Sequence, residues 1–588
     1  MYPSPNRIRG DQNGASSVGL AGVRPAGVSQ VFAGRLSIAI FAAALGCAWI
    51  GGASAQQVAP SLVTPQTLRP TAGPAGTILL PPAAGLAAPA GAENLSVTLS
   101  GVSVEGGFPE LKSATDAIAA RLSGRRATLA EIYIAANAIE QAYAAAGFVL
   151  VRVVVPPQKL VPGGKLRLVV VDGFIQCVDV KGAPESQRAL ISARMASLIG
   201  KRHVTLAEIE RRLLLVSDIP GLVLRSTLTR GTTTGGAELV LEATQNYVTG
   251  TVGVDNRLPK SLGIWELNSS LALNSAFGFG EQVYVSATSG YQLGKLFDGD
   301  SPLRILGGGV VLPIGTDGFT LNPEYTNSVT RPVASPGAPA TAGVFERFAL
   351  HAAYPVIRSR AETLTVQATY EWDEEHLTPA GFDTDLYRDR YHVIRLQGVD
   401  QMTLPWGAAA QATALATGIP LSQQGATPTF SKLDLDLRYQ QPLPEAFQLS
   451  LVGKAQTSFN EPLMLAEQFS LDGMDAVSGF ASGELPVDEG ATARAEFSRP
   501  FPVAFSRANA VLSPYIFGAG GWGSIVDPTA LQQRHIDASS FGLGLHVGAN
   551  APDPTYGGTM TVEFARALSD LPGERQGYRT NFILAVRF

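Results

Sequence analysis

From Tyr247 onward the chain never settles into a helical period; apolar residues alternate with small or polar ones in short runs. Typical runs are "YVTGTVGVDN", "EQVYVSATSGY", "TLTVQATYEW", "KLDLDLRYQQPL", "FQLSLVGKAQTSF", "GTMTVEFARAL" and "NFILAVRF". Alternation places every second side chain on one face of a strand. The runs are separated by turn residues and by longer Gly/Pro/Ala loops. Strands of ~9–11 residues with an apolar outer face, short turns at one end and long loops at the other are the pattern of a membrane β-barrel. Residues 245–588 therefore predict a transmembrane β-barrel of about 16 antiparallel strands. The last run is the clearest: Phe582, Leu584, Val586 and Phe588 alternate strictly, the pattern of a barrel's final strand. A large soluble β-domain is the alternative.

Upstream the period changes. "SVTLSGVSVEG" alternates as a strand, and "TLAEIYIAANAIEQAYAAAG" carries apolar residues at helical spacing up to Gly147. Two further strands follow, "FVLVRVVVP" and "KLRLVVVDG". The order then repeats through "FIQCVDVKG", "ESQRALISARMASLIG", "TLAEIERRLLLVSDIPG", "LVLRSTLTRG" and "AELVLEAT". Two small α+β units of β-α-α-β-β order are expected, at 94–173 and 174–244. The pentapeptide "TLAEI" occurs in both, at 128–132 and 205–209. Thr128 with Glu131, and Thr205 with Glu208, form capping boxes in which each Thr hydroxyl takes a helix N–H and each Glu reaches back to the cap. They mark the same helix start in two copies of one fold and carry no chemistry. The second strand pair of each unit (148–155 with 165–171, 222–230 with 237–243) offers a sheet edge to which an extended polypeptide can add.

Residues 1–55 carry Arg7, Arg9, Arg24 and Arg35 against Asp11, then "LSIAIFAAALGCAWIGG" and "ASA" at 53–55. A basic flank, a short apolar core and an A-x-A end predict an export signal. Residues 56–93, with seven prolines, read as a linker with no continuous helix. Of the two cysteines, Cys47 and Cys177, cleavage after Ala55 leaves only Cys177. The net charge of −5 argues against nucleic acid as a partner. A mean hydropathy of +0.14 with 16% charged residues suits a barrel whose strands escape hydropathy windows. No enzyme, cofactor or metal is expected. "GAGGWG" at 518–523 lacks the following helix that a dinucleotide site needs, and "WDEEH" at 372–376 reads as a charged loop or strand end.

The stretch "FSLDGMDAVSGFASGELPVDEGATARAEF" at 469–497 resembles the pore-loop segment of TpsB-type transporters of two-partner secretion. These form the haemolysin and filamentous haemagglutinin secretion-activation family, within the barrels bearing POTRA domains, and the similarity runs over 94–588. It implies two POTRA domains and a 16-strand barrel. It further implies a loop folded back into the barrel, carrying Gly473, Val477, Ser478, Gly479 and Phe480, then Asp488 and Gly490. The wall strand implied to face the loop is Phe517, Ala519 and Gly521. The family's loop Arg is Ser478 here, and its wall Asp is Ala519, so both halves of that ion pair are replaced together. Breaking one half of a buried pair costs ~3–5 kcal/mol, whereas replacing both can be near neutral. The resemblance implies an outer-membrane location and passage of one large unfolded exoprotein, a TpsA-type client with an N-terminal secretion domain. Further implied partners are the lipid bilayer, its lipopolysaccharide and the barrel assembly machinery. Insertion of other barrels, or a passive porin-like channel, are the alternatives.

Overall fold

The computed structural model describes residues 58–69, 87–292, 301–334, 340–382, 384–419, 429–505, 508–530, 532–551, 555–571 and 576–588. The expected export signal and residues 70–86 of the Pro-rich stretch lie outside the described residues. The first element is one helical turn, α1 (Pro60–Val63).

The first α+β unit contains β1 (Ser96–Glu105), α2 (Lys112–Ala120), β2 (Arg126–Thr128), α3 (Leu129–Ala145), β3 (Arg152–Val154) and β4 (Gly164–Val171), in sheet order β2-β1-β4-β3. The short β2 adds a strand to the expected order. The second unit contains β5 (Phe174–Lys181), α4 (Glu185–Met195), α5 (Leu206–Ser217), β6 (Leu222–Arg230) and β7 (Gly236–Gln245), in order β5-β7-β6. Both capping boxes form. Glu131 N donates to Thr128 Oγ1 at 3.1 Å and Thr128 N to Glu131 at 2.7 Å; Thr205 and Glu208 repeat this at 3.3 and 3.1 Å. The stripe that each box starts is buried: Ile132, Ala136 and Ile139 in α3, Ile209, Leu213 and Val216 in α5.

The barrel strands are β8 (Val248–Asp255), β9 (Glu266–Asn274), β10 (Gln282–Gly290), β11 (Leu303–Ile314), β12 (Phe319–Thr330), β13 (Thr341–Arg358), β14 (Glu362–Pro379) and β15 (Tyr387–Leu404). They continue with β16 (Gly407–Ile419), β17 (Ser431–Pro442) and β18 (Gln448–Thr457). Two dipeptides, β19 (Phe469–Ser470) and β20 (Pro486–Val487), pair with each other inside a long loop. Then come β21 (Glu489–Ser498), β22 (Phe501–Phe505), β23 (Ala508–Ser524), β24 (His535–Asn550), β25 (Gly557–Ser569) and β26 (Gln576–Arg587). β21 and β22 pair with β23 in one continuous register, a single strand interrupted at Arg499–Pro500, where proline removes a ladder donor. Sixteen antiparallel strands thus close the barrel, β26 pairing with β8.

The distribution of polarity is the reverse of a soluble domain. Along β12 the inward Asn322, Glu324, Thr326, Ser328 and Thr330 are buried, while the outward Phe348 and Leu350 of β13 and Leu396 of β15 are exposed. An apolar outside and polar inside is what lipid on one face and a lumen on the other demand. "WDEEH" is neither loop nor strand end: it lies within β14, with Asp373 and Glu375 buried on the inner face.

The second α+β unit seats on the barrel's short turns. Gln187 donates to the Ser275 carbonyl at 3.2 Å and hydroxyl at 2.6 Å. Arg211 donates to Tyr354 Oη, Pro355 O and Val356 O at 3.1–3.2 Å, and Arg358 pairs with Asp218 at 2.7 Å. At Gly318 (φ 96°) a Cβ would lie 2.6 Å from Leu215, so the turn can approach α5 only as glycine.

Candidate functional site

Residues 458–488, between β18 and β21, fold back into the lumen. The fold is held locally: Val477 N donates to Leu471 O at 3.1 Å, and the Asp472 carboxylate accepts from Gly483 N at 3.1 Å and Leu485 N at 2.8 Å. Leu471, Val477, Phe480, Leu485 and Val487 then pack on Ile536, Ala538 and Ala567 of the wall. Gly479 lies flat on β25; a Cβ there would come 2.7 Å from Ala567 Cβ. Gly473 turns the chain with φ at 109°. At the loop's exit the buried Asp488 carboxylate accepts from Leu463 N (3.1 Å), Gln468 Nε2 (2.9 Å) and Val526 N (2.8 Å). Gly490 sits opposite Gly523, where a Cβ would meet Trp522 O at 2.7 Å.

Ser478 is buried against the wall, but its partners are not those of the Phe517–Ala519–Gly521 strand. Arg494 of β21 donates to Ser478 Oγ at 3.0 Å, and Asn581 of β26 donates to Ser478 O at 2.8 Å. Arg494 also pairs with Glu563 of β25 at 2.6 Å, and its guanidinium lies 3.9 Å from the centre of the Phe517 ring. Tyr515 donates to the same Glu563 oxygen at 2.9 Å. Ala519 is the register partner of Arg494, and a Cβ on Gly521 would stand 3.4 Å from Val477. The structure thus brings Phe517, Ala519, Gly521 and Ser478 to one patch of wall, and adds Arg494, Glu563 and Asn581. Of these, Arg494 stands in plain view in "ATARAEF", at the inward parity of its strand.

A second contact of the loop is ionic. Glu467 meets Arg395 of β15, and Lys432 of β17 at 3.2 Å. Arg395 is shared with Glu371 at 3.0 Å, and Arg347 pairs with Asp373 at 3.1 Å. Glu371, Asp373 and Glu467 bring carboxylate oxygens within 4.8 Å of one another. Arg347, Arg395 and Lys432 pair with these three carboxylates, and Lys432 lies 3.5 Å from Asp434 as well, so the cluster is an ion-pair network.

Part of the stretch read as a linker lies inside the barrel. Residues 58–69 run along the inner wall of β11–β14. Val58 O accepts from Thr330, Ser61 N donates to Glu375 at 3.0 Å, and Thr67 Oγ1 and Leu68 N donate to Glu324 at 3.0–3.1 Å. Arg347 donates to Gln66 O at 3.4 Å. Val58 packs on Leu258, Leu262, Leu303 and Ile305, and Leu62 approaches Gly483 of the pore loop. Strap and loop therefore occupy the lumen side by side.

At the closing seam, Phe588 and Gly250 exchange backbone hydrogen bonds at 2.8 and 3.0 Å, and Leu584, Val586 and Phe588 are exposed on the outer face. Phe582 lies at the opposite end of the same face, 5.9 Å from Trp265 ring to ring. In the α+β units the sheet edges differ: β3 is three residues long, whereas β6 presents nine.

Residues 235–547 match the family described as haemolysin secretion/activation protein ShlB/FhaC/HecB, and residues 97–173 match the ShlB-type POTRA domain. The chain is 27% identical over 240 residues to outer membrane transporter CdiB of Escherichia coli, covering 41% of this chain and 39% of that protein's length. It is 22% identical over 416 residues to the heme/hemopexin transporter protein HuxB of Haemophilus influenzae, covering 68% of this chain and 71% of that protein. Among solved structures, CdiB from Escherichia coli superposes with a TM-score of 0.63 at 18% identity over 90% of this chain and 94% of that one. CdiB from Acinetobacter baumannii gives 0.56 at 17% identity, over 84% and 90%.

Proposed function

Because the chain belongs to the haemolysin secretion/activation (ShlB/FhaC/HecB) family, we propose that it passes one large unfolded exoprotein from periplasm to cell surface. The family is one of secretion channels and not of enzymes. The barrel lies in the outer membrane and the POTRA units in the periplasm. The observation that carries the reading is the filling of the lumen. What closes it is not wall strand: the strap 58–69 and the loop 458–488 are held by hydrogen bonds, ion pairs and small apolar contacts. Each hydrogen bond to a charged group contributes about 1.5–3 kcal/mol net and none of these belongs to the barrel ladder, so both inserts can be displaced without opening it. An extended client would first add to the nine-residue edge of β6, in the unit seated against the barrel mouth. Main-chain pairing tolerates sequence variation, which suits an unfolded client.

The test compares secreted proteins from cells with and without this chain. One large exoprotein should vanish from the surface and medium on deletion, be degraded in the periplasm, and return on complementation. An unchanged set of exoproteins, with folded outer-membrane barrels depleted instead, would favour the barrel-insertion alternative.

A further inference from the structure

The pore loop 458–488 contains Glu461, Glu467, Asp472, Asp475, Glu484 and Asp488, and no Lys, Arg or His. Among the described residues, every cation whose side chain pairs with it belongs to the wall. Glu467 is met by Arg395 and Lys432; Asp475 by Arg438 at 2.7 Å and Lys454 at 3.7 Å; and the tip, at Ser478, by Arg494 at 3.0 Å.

These three tethers differ in what withdrawal leaves behind. Pulling Glu467 away separates a fully buried carboxylate from both of its cations. Pulling Ser478 away separates no charges. Arg494 keeps Glu563 at 2.6 Å, Glu496 at 3.4 Å and its stack on Phe517, all contributed by the wall. The guanidinium is thus compensated whether the loop tip is seated or not. The polar groups the loop offers at this point are a neutral hydroxyl and a carbonyl, and both can be rehydrated; the flanking side chains of Val477 and Phe480 make apolar contacts only.

We propose that Arg494 is the positioning residue that seats the loop tip, and that the tip at Ser478 is the first point of the loop to leave the wall. The inference rests on the transport reading for its purpose, but its geometry is independent of any client. A positive charge carried by the wall, with a neutral hydroxyl on the loop, makes a latch that opens without parting an ion pair.

The test uses the full chain with Cys177→Ser, a Ser482→Cys reporter near the tip, and a membrane-impermeant maleimide. Ser478→Ala and Arg494→Gln should each label about tenfold faster, the scale of one lost charge-assisted hydrogen bond. Both should keep the heat-sensitive electrophoretic mobility of a folded barrel. The exchange Ser478→Arg with Arg494→Ser moves the guanidinium onto the loop opposite Glu563. It should label no faster than the parent, because withdrawal then parts an ion pair. If Arg494→Gln fails to assemble, Ser478→Ala decides, since it leaves the wall pair intact. Labelling of Ser478→Ala at the parent rate, or of the exchange at the Arg494→Gln rate, overturns the proposal. Labelling requires no client, so lost secretion with labelling as expected would count against the transport reading alone.

Discussion

At the scale of single residues, the site turns on where one guanidinium is placed. Ser478→Arg alone would drive a second cation against Arg494, in a pocket whose acids, Glu563 and Glu496, are already engaged by Arg494. An uncompensated buried charge costs about 3 kcal/mol or more. Secretion should fall at least about tenfold on that scale. Adding Ala519→Asp supplies a carboxylate on the register partner of Arg494 and should recover most of the loss. If the double variant secretes no better than the single one, positions 478 and 519 are not coupled. Reading the sequence links Ser478 with Ala519 but does not find Arg494. Its contacts lie 16 and 69 residues away, across strands whose register no local pattern encodes. The glycines are different: Gly479 and Gly490 are needed because backbone meets wall there, and the motif exposes them directly.

Elements were legible in proportion to how local their cause is. The two capping boxes need only residues three apart, and both form where "TLAEI" places them. Several barrel strands carry no clean apolar alternation. The inward side of β16 is a row of alanines, Ala408 to Ala416, and β12 carries Asn, Glu, Thr and Ser inward. Contrast between faces, not hydrophobicity itself, is what a sequence pattern reports. The strap is invisible for another reason. Its prolines argue against a continuous helix, and Pro60–Val63 makes a single helical turn, but only the lumen's Glu324, Arg347 and Glu375 make the segment part of the pore filling. Deleting residues 58–69 removes at least four such hydrogen bonds, three of them to carboxylates at about 1.5–3 kcal/mol each. Planar-bilayer recordings should then show larger and more frequent openings than the parent protein. Unchanged currents would mean that the loop alone sets conductance.

At the scale of the whole molecule, polarity inversion, closure and docking point one way. Apolar side chains face outward around the ladder, ion pairs line the inside, and the seam is completed by Phe588 against Gly250. The second α+β unit seats on the short turns through Arg211, Gln187 and the Asp218–Arg358 pair, at the end opposite the pore loop's origin. An extended segment captured at β6 would therefore start beside the mouth of the lumen. Secretion through this chain requires that a polypeptide pass through that lumen. The direct measurement is site-specific photocrosslinking in cells at two adjacent residues of β18: Val452, on the lumen face with Arg438 and Arg494 as register partners, and Leu451, exposed on the outer face. Crosslinks from Val452 to the exoprotein lost on deletion, with none from Leu451, are predicted. Equal or absent crosslinks at the two positions, while secretion continues, would contradict it.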